Sequence, residues 1–546
     1  MRKSLAIFLA ALFALSAAAQ QQPQPQPKQQ PKATDQAPAP YVEKLDVRVI
    51  NVDVIVTDRK GNRVTGLTKD DFEIYQNGIP KPISNFYEVI TEKKPAPAPA
   101  VAGAPAHRPA PVADIPENQR RRIIFYIDNL SLAPFNRNRV FKEMKKFVDT
   151  AMRPGDEAMI ATFNKSIKVR LPFTRDPIQV SQMLDSIMGE SALGTSAISE
   201  SRDTMKRIQD AQGVDEAING LMSTVAGVEG KKVLVLTTEG FQIQPGREMF
   251  YAVDEAGHTK GWGSSGSMLE GMAFDNSGLI QSIARTANSN NITLYTIHAG
   301  GLGAGQANNL AEMDRATPYS VTSQALSNST ESLQMMADMT GGLYSINSNN
   351  FAQMFQRINN DLDSYYSLGY RADTERVDRQ RNIEVRTKNK NYIARARQTF
   401  VEKSSFADMS DRVVANLLYR SKANDLNIIA KINSPIPADD LFKIPVEIHI
   451  PMEKLTLLPQ GEMYAGGFTV FVVVGNKDGD MSDVQHQQAE IRVPAADYAK
   501  IKGKYYTYTL DLLVEPGLNN ISIGVVDDVS SEQGFAREQI IARDLR

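Results

Sequence analysis

The feature that most constrains this chain is the stretch 122–132, RIIFYIDNLSL. Five consecutive apolar or aromatic residues, Ile123 to Ile127, run without a break into an acid, Asp128. A continuous apolar run of this length suits a strand covered on both faces, as in a parallel sheet flanked by helices. Two later runs repeat the pattern: residues 233–238 (VLVLTT) lead into Glu239-Gly240, and residues 292–298 (ITLYTIH) lead into Ala299 and two glycines. Between them lie segments with helical spacing, such as Val140, Met144, Phe147, Val148 and Ala151. Such strands alternating with helices specify a doubly wound, mostly parallel α/β domain. Sheets of that kind bind ligands outside the carboxyl ends of their strands, which is where Asp128 stands.

With 546 residues the chain is too long for one core, so a multidomain α/β plus all-β protein is expected. The net charge of −2 argues against nucleic acid or an anionic membrane as partner. The chain has no cysteine, which removes disulfides, thiolate metal sites and cysteine nucleophiles. At the start, Arg2 and Lys3 precede an apolar stretch and a small-residue site at Ala17-Ala18-Ala19. Residues 1–19 therefore read as a secretory signal peptide, too short for a spanning helix. No later segment is long and apolar enough to span. The expectation is an exported protein, periplasmic or extracellular, with no membrane span.

Residues 20–40 form a Pro/Gln-rich linker that cannot bury a core. Residues 41–90 read as a small β domain, with strand-like VRVINVDVIVTD and the hairpin signal Asn77-Gly78. A sheet this small is expected to pack on a neighbour. A Pro/Ala-rich linker, residues 91–119, leads into the central domain, residues 120–401. In that domain residues 158–163 and 167–173 read as a strand and an antiparallel edge partner, and residues 365–401 as a trailing β hairpin. Residues 404–546 open with a helical segment and continue as evenly spaced strands, the pattern of a β-sandwich.

With Asp128 at the end of its first strand, the order of elements in the central domain resembles the von Willebrand factor type A domain. The segments VDVIVTDRKGNRVTGLTKDDFEIYQNG and YYSLGYRADTERVDRQRNIEVR on its flanks resemble exported bacterial proteins of the von Willebrand factor A-related type, described chiefly in acidobacteria. That family has no agreed activity. The type A domain implies a divalent cation, usually Mg²⁺, at the carboxyl edge, held by an Asp-x-Ser-x-Ser motif, a later Thr and a later Asp. Hard oxygen ligands suit such an ion. Asp128 matches the first Asp and Thr195 the Thr, while Glu239 stands where the Asp is expected. The motif serines fall on Leu130 and Leu132; Asn129 and Ser131 are polar but out of phase. Two readings stay open. Asp128, Thr195 and Glu239, helped by Ser131 and water, hold Mg²⁺ weakly, or the site is degenerate and the domain binds without metal.

Two polar insertions, residues 241–276 and 299–330, leave the sheet at its carboxyl edge, and loops of such length are often functional. Trp262, the only tryptophan, lies in the first. Trp262 and Asn129 are the candidate partner contacts, an exposed aromatic being a natural anchor. No His-Glu-x-x-His, Gly-x-Ser-x-Gly or Walker loop occurs, so no enzyme is expected. Residues 301–305 (GLGAG) lack the third glycine of a dinucleotide fingerprint, and Asn476, Asp478 and Asp480 lack the glycine of a calcium loop, where Met481 stands. The sequence thus points to a protein that recognises a protein partner through the carboxyl edge. An envelope scaffold is the alternative, and a hydrolase a more distant one.

Overall fold

The structure is a computed structural model. It describes residues 49–90, 117–190, 204–244, 275–302, 319–371, 377–420, 423–477 and 479–543. The described residues begin with four strands: β1 (Val49–Asp58), β2 (Phe72–Gln76), β3 (Ile79–Lys81) and β4 (Ile83–Ile90). Then come β5 (Arg121–Asp128), α1 (Pro134–Ala151), β6 (Glu157–Phe163), β7 (Ile167–Thr174), α2 (Pro177–Met188), α3 (Thr204–Thr224), β8 (Lys231–Thr238), α4 (Ser277–Ser289), β9 (Ile292–His298), α5 (Tyr319–Thr340), β10 (Tyr344–Ser345) and α6 (Phe351–Asp363).

Strands β5 to β10 make one sheet in the order β10-β9-β8-β5-β6-β7. All pairs are parallel except β6 with β7, the antiparallel edge expected from the sequence. The alternation of side chains along β5 explains the two helical layers. Ile123, Phe125 and Ile127 join the core under α1, α2 and α6, while Ile124 and Tyr126 join the core under α3, α4 and α5. Neither layer leaves the sheet exposed, which is why this strand carries no polar alternation. The second insertion is shorter than expected, because residues 319–330 are already helical in α5.

The trailing strands depart from the sequence expectation. β11 (Ser364–Arg371) and β12 (Gln380–Thr387) do not pair as a hairpin. β11 lies between β1 and β4, and β12 pairs with β2 and with β14 (Thr399–Val401). β13 (Tyr392–Arg395) pairs with β1. The result is two four-stranded sheets, β13-β1-β11-β4 and β14-β12-β2-β3, around one core of Val52, Val54, Phe72, Ile74, Leu368 and Tyr370. Residues assigned from sequence to two domains therefore form one β unit, and the α/β domain is inserted between its halves. Sequence periodicity shows which strands exist but not which partner each takes.

The β unit is fastened to the amino edge of the α/β sheet. Arg395 on β13 donates to both carboxylate oxygens of Asp361 at 2.9 Å, and the Tyr295 hydroxyl donates to the same carboxylate at 3.1 Å. The Lys231 ammonium at the start of β8 lies 3.3 Å from the centre of the Tyr365 ring.

Helix α7 (Ser405–Tyr419) bridges to the C-terminal strands, with Ala415 in the α/β core. Met409, Val413 and Leu417 pack on Phe471, Val473 and Phe535. Gly227 sits against its backbone, where a Cβ would lie 2.3 Å from the carbonyl of Asp411. Beyond α7 come β15 (Ile429–Ile432), β16 (Ile436–Ala438), β17 (Leu441–Pro451), β18 (Leu458–Gln460), β19 (Met463–Asn476), β20 (Gln485–Pro494), β21 (Tyr505–Val514), β22 (Gly517–Asp527) and β23 (Gln533–Ala542). They form two antiparallel sheets, one centred on β17 and the other on β19 and β22, over a shared core. No helix among the described residues is long and apolar enough to cross a membrane.

Because β11 is central in a sheet built from both ends of the β unit, Leu368→Ala opens a cavity in a core closed from both sides. A loss of about 2–5 kcal/mol is expected from the shift of the urea midpoint of the full chain. A loss below about 1 kcal/mol would contradict the shared core.

Candidate functional site

In the α/β domain's own order the strands run 3-2-1-4-5-6, so the order reverses between β5 and β8. The crevice outside the carboxyl ends at such a reversal is where doubly wound sheets take ligands. Asp128 closes β5, and Thr238 and Glu239 close β8, so the two acids predicted from sequence meet at this point.

Asp128 is 2% exposed and its carboxylate is held from inside. Its Oδ2 accepts from the hydroxyls of Ser131 at 2.7 Å and Thr238 at 2.8 Å, and its Oδ1 accepts from the Ser131 amide at 3.3 Å. The two hydroxyls lie 2.9 Å apart. They also receive backbone protons, Ser131 from the Glu239 amide and Thr238 from the Gly240 amide, each at 3.1 Å. Burial pushes the Asp128 carboxyl above its usual range against these hydrogen bonds.

Glu239 has a different role from the one expected. Its Oε1 accepts from the Ala133 amide at 2.9 Å. Ala133 precedes α1 and has no side-chain cap of its own, and Pro134 opens the helix. Glu239 thus caps α1 from a neighbouring strand, satisfying one of the amides a helix leaves unpaired at its start. A shorter aspartate gives less reach toward that amide. Burial, and the Asp128 carboxylate beside it, push the Glu239 carboxyl up to about 7, although the Ala133 amide, Asn136 and Arg139 favour the charged form.

Where they are described, these residues are arranged for hydrogen bonding with one another rather than for Mg²⁺. The motif positions at Leu130 and Leu132 are buried apolar side chains, Asp128 is enclosed, and the hydroxyls of Ser131 and Thr238 are engaged by donors and by the acid. Among the described residues no group of three or more His, Cys, Asp or Glu side chains could hold a metal ion. Thr195 and Trp262 lie outside the described residues. Asn129, expected to touch a partner, is 5% exposed, and its Oδ1 accepts from Arg137 at 3.4 Å. Arg137 is itself buried and donates to the carbonyls of Met188 and Glu190 at 3.1 and 2.9 Å. The pair fixes the turn after β5 from within.

The exposed part of the rim was not foreseen. Phe135, in the first turn of α1, is 73% exposed, and Leu302, just past β9, is 67% exposed. Arg139 links their elements: its guanidinium lies over the rings of Phe135 (5.7 Å) and Phe351 (5.3 Å). It donates to the Asn349 side-chain oxygen at 2.6 Å, which also accepts from the Leu302 amide at 3.3 Å. Gly301 makes this turn possible, with φ +64° and no room for a Cβ beside Asn349. One signal for Phe135 was present in the sequence: it falls off the stripe of Val140, Met144, Phe147 and Val148 that faces the core.

No protein-family model matches the chain, and no characterised protein matches it in sequence. Solved structures are similar to it in part. An aerotolerance-related membrane protein from Bacteroides fragilis has 16% identity over 45% of this chain and 98% of its own, at a TM-score of 0.25. A conserved hypothetical protein, BatB from Bacteroides thetaiotaomicron, has 13% identity over 44% and 98%, also at 0.25. Proximal thread matrix protein 1 from the mussel byssus has 14% identity over 48% and 50%, at 0.26. At these values neither fold nor chemistry is transferred from them.

Folding with a proton held on Glu239 makes stability depend on pH. The unfolded chain releases that proton near 4.5 and the folded chain near 7, so stability is full below about 4.5 and falls as pH rises to about 7. Glu239→Gln keeps the acceptor for Ala133 and should remove a fall of roughly 1–3 kcal/mol, one pKa unit being about 1.4 kcal/mol before screening. Urea midpoints of the two proteins from pH 4.5 to 8 measure it; parallel curves would refute the assignment.

Proposed function

We propose that the central domain is a von Willebrand factor A-like module of an exported protein and that it recognises a protein partner without a metal. The fold reading is supported by the strand order, the antiparallel edge strand β7 and the acid that ends the domain's first strand. The observation that carries the binding reading is the exposure of Phe135 and Leu302 at the strand-order reversal, joined through Arg139 and Asn349. An exposed aromatic side chain beside a half-buried arginine is the kind of pairing that dominates protein interfaces. Holding Phe135 against Arg139 and Leu302 against the Asn349 turn lowers the ordering cost of binding.

In this reading the acids work behind the surface. Asp128, Ser131 and Thr238 tie β5 to β8, and Glu239 fixes the start of α1, which sets the angle at which Phe135 is presented. Recognition then needs no cation to complete it. The hydroxyls at the edge are occupied by internal hydrogen bonds, which favours binding over nucleophilic chemistry.

Capture of a partner from envelope extract by the full chain should fall at least tenfold in the double variant Phe135→Ala, Leu302→Ser, with an unchanged melting temperature because both side chains are exposed. Chelator should leave capture by the parent protein unchanged. Undiminished capture by the double variant would refute the rim as the binding surface; loss of capture in chelator alone would refute metal independence.

A further inference from the structure

The C-terminal sandwich is incompletely filled at one end. In its middle the inward side chains are large: Phe468 meets the rings of Tyr506 and Tyr508 at 5.4 and 5.7 Å. Toward the β19–β20 turn they shrink to Val472 and Val474 on one sheet and Leu512 and Val514 on the other. A cleft of about 440 Å³ opens there, within the size range of small-molecule sites. Its floor is apolar, and its mouth carries Asp480, Asp483 and Glu515. None of the residues lining it is basic.

The polar groups at the mouth leave acceptor capacity facing outward. Asn476 donates to Asp480 at 3.2 Å and to Glu515 at 3.5 Å, and no ion pair is formed by Asp480, Asp483 or Glu515 among the described residues. Asn519 is 2% exposed and lines the cleft. Its Nδ2 donates to the carbonyls of Glu515 and Gly517 at 2.8 and 3.2 Å, while among the described residues its Oδ1 accepts no hydrogen bond. An apolar pocket whose mouth carries three carboxylates and no basic residue selects an apolar body with a cationic, donor-rich head.

We propose that this cleft is a binding site for an organic cation: an ammonium or guanidinium on an aliphatic body, either a free amine or a basic side chain of an extended peptide. The head sits among Asp480, Asp483 and Glu515, and the aliphatic part lies on Val472, Val474, Leu512 and Val514. The site is in a different domain from the rim and does not depend on it.

Titration calorimetry of the full chain tests this with hexylammonium, hexanol, hexanoate and the blocked tripeptide Leu-Arg-Leu. Hexylammonium should bind saturably, hexanol at least tenfold more weakly, and hexanoate more weakly still. The double variant Asp483→Asn, Glu515→Gln should lose at least tenfold in hexylammonium affinity and keep its hexanol affinity. Val474→Trp, with circular dichroism unchanged, should abolish both. Tripeptide binding at least tenfold tighter than hexylammonium identifies a peptide as the source, and weaker binding a free amine. Equal binding of the three six-carbon probes, or no saturable heat from any probe, would overturn the site.

Discussion

The interaction on which the molecule turns is the parallel pairing of β5 with β8. Both strands are apolar on both faces, so both faces must be covered, and helices on each side are the solution the chain adopts. Strand order reverses between these two strands, so the helices that follow them leave to opposite sides and a crevice opens where they part. Each strand ends there in a polar residue because that is where the apolar cover ends. The position of the rim is therefore a consequence of the sheet, while its chemistry is a matter of the few residues placed on it.

Those residues form a closed set. Two hydroxyls, one acid and three backbone amides satisfy one another across the β5–β8 gap, in surroundings where an unpaired polar group is costly. A metal-binding edge would need the opposite: hydroxyls at the positions of Leu130 and Leu132, and an acid with oxygens free to turn outward. Leu130 and Leu132 instead drive the turn into the two cores. Glu239, one methylene longer than aspartate, is used for its reach to the α1 amide.

Much of this was legible from the residues, for reasons that separate clearly. Periodicity reports which faces are buried, so the parallel strands, the antiparallel edge at 167–173 and the meeting of Asp128 with Glu239 followed from the sequence. Pairing between distant segments leaves no mark in periodicity. The partners of β11 and β12 were missed for that reason, and so was the fact that residues before 90 and after 364 share one core. Asn129 was misjudged because polarity alone does not distinguish a surface residue from one pinned by a buried Arg137. Residues 319–330 carry too many Ser, Thr and Asn for a sequence-based helix, yet they are helical in α5, part of which packs on the sheet. Thr238 was passed over because it closes the run VLVLTT, which reads as a strand rather than as part of a site.

The insertion of the α/β domain into the β unit bears on the rim. Here the amino edge is covered by the β unit through Asp361, Arg395, Tyr295 and Lys231, and farther along by α7 against Gly227. Both flanking domains thus attach on the side away from Asp128. An attachment through two chain crossings and a buried ion pair restrains the sheet against rigid-body rotation more than a single tether would. Asp128 and Glu239 lie at the opposite end of the sheet, where Phe135 and Leu302 are exposed.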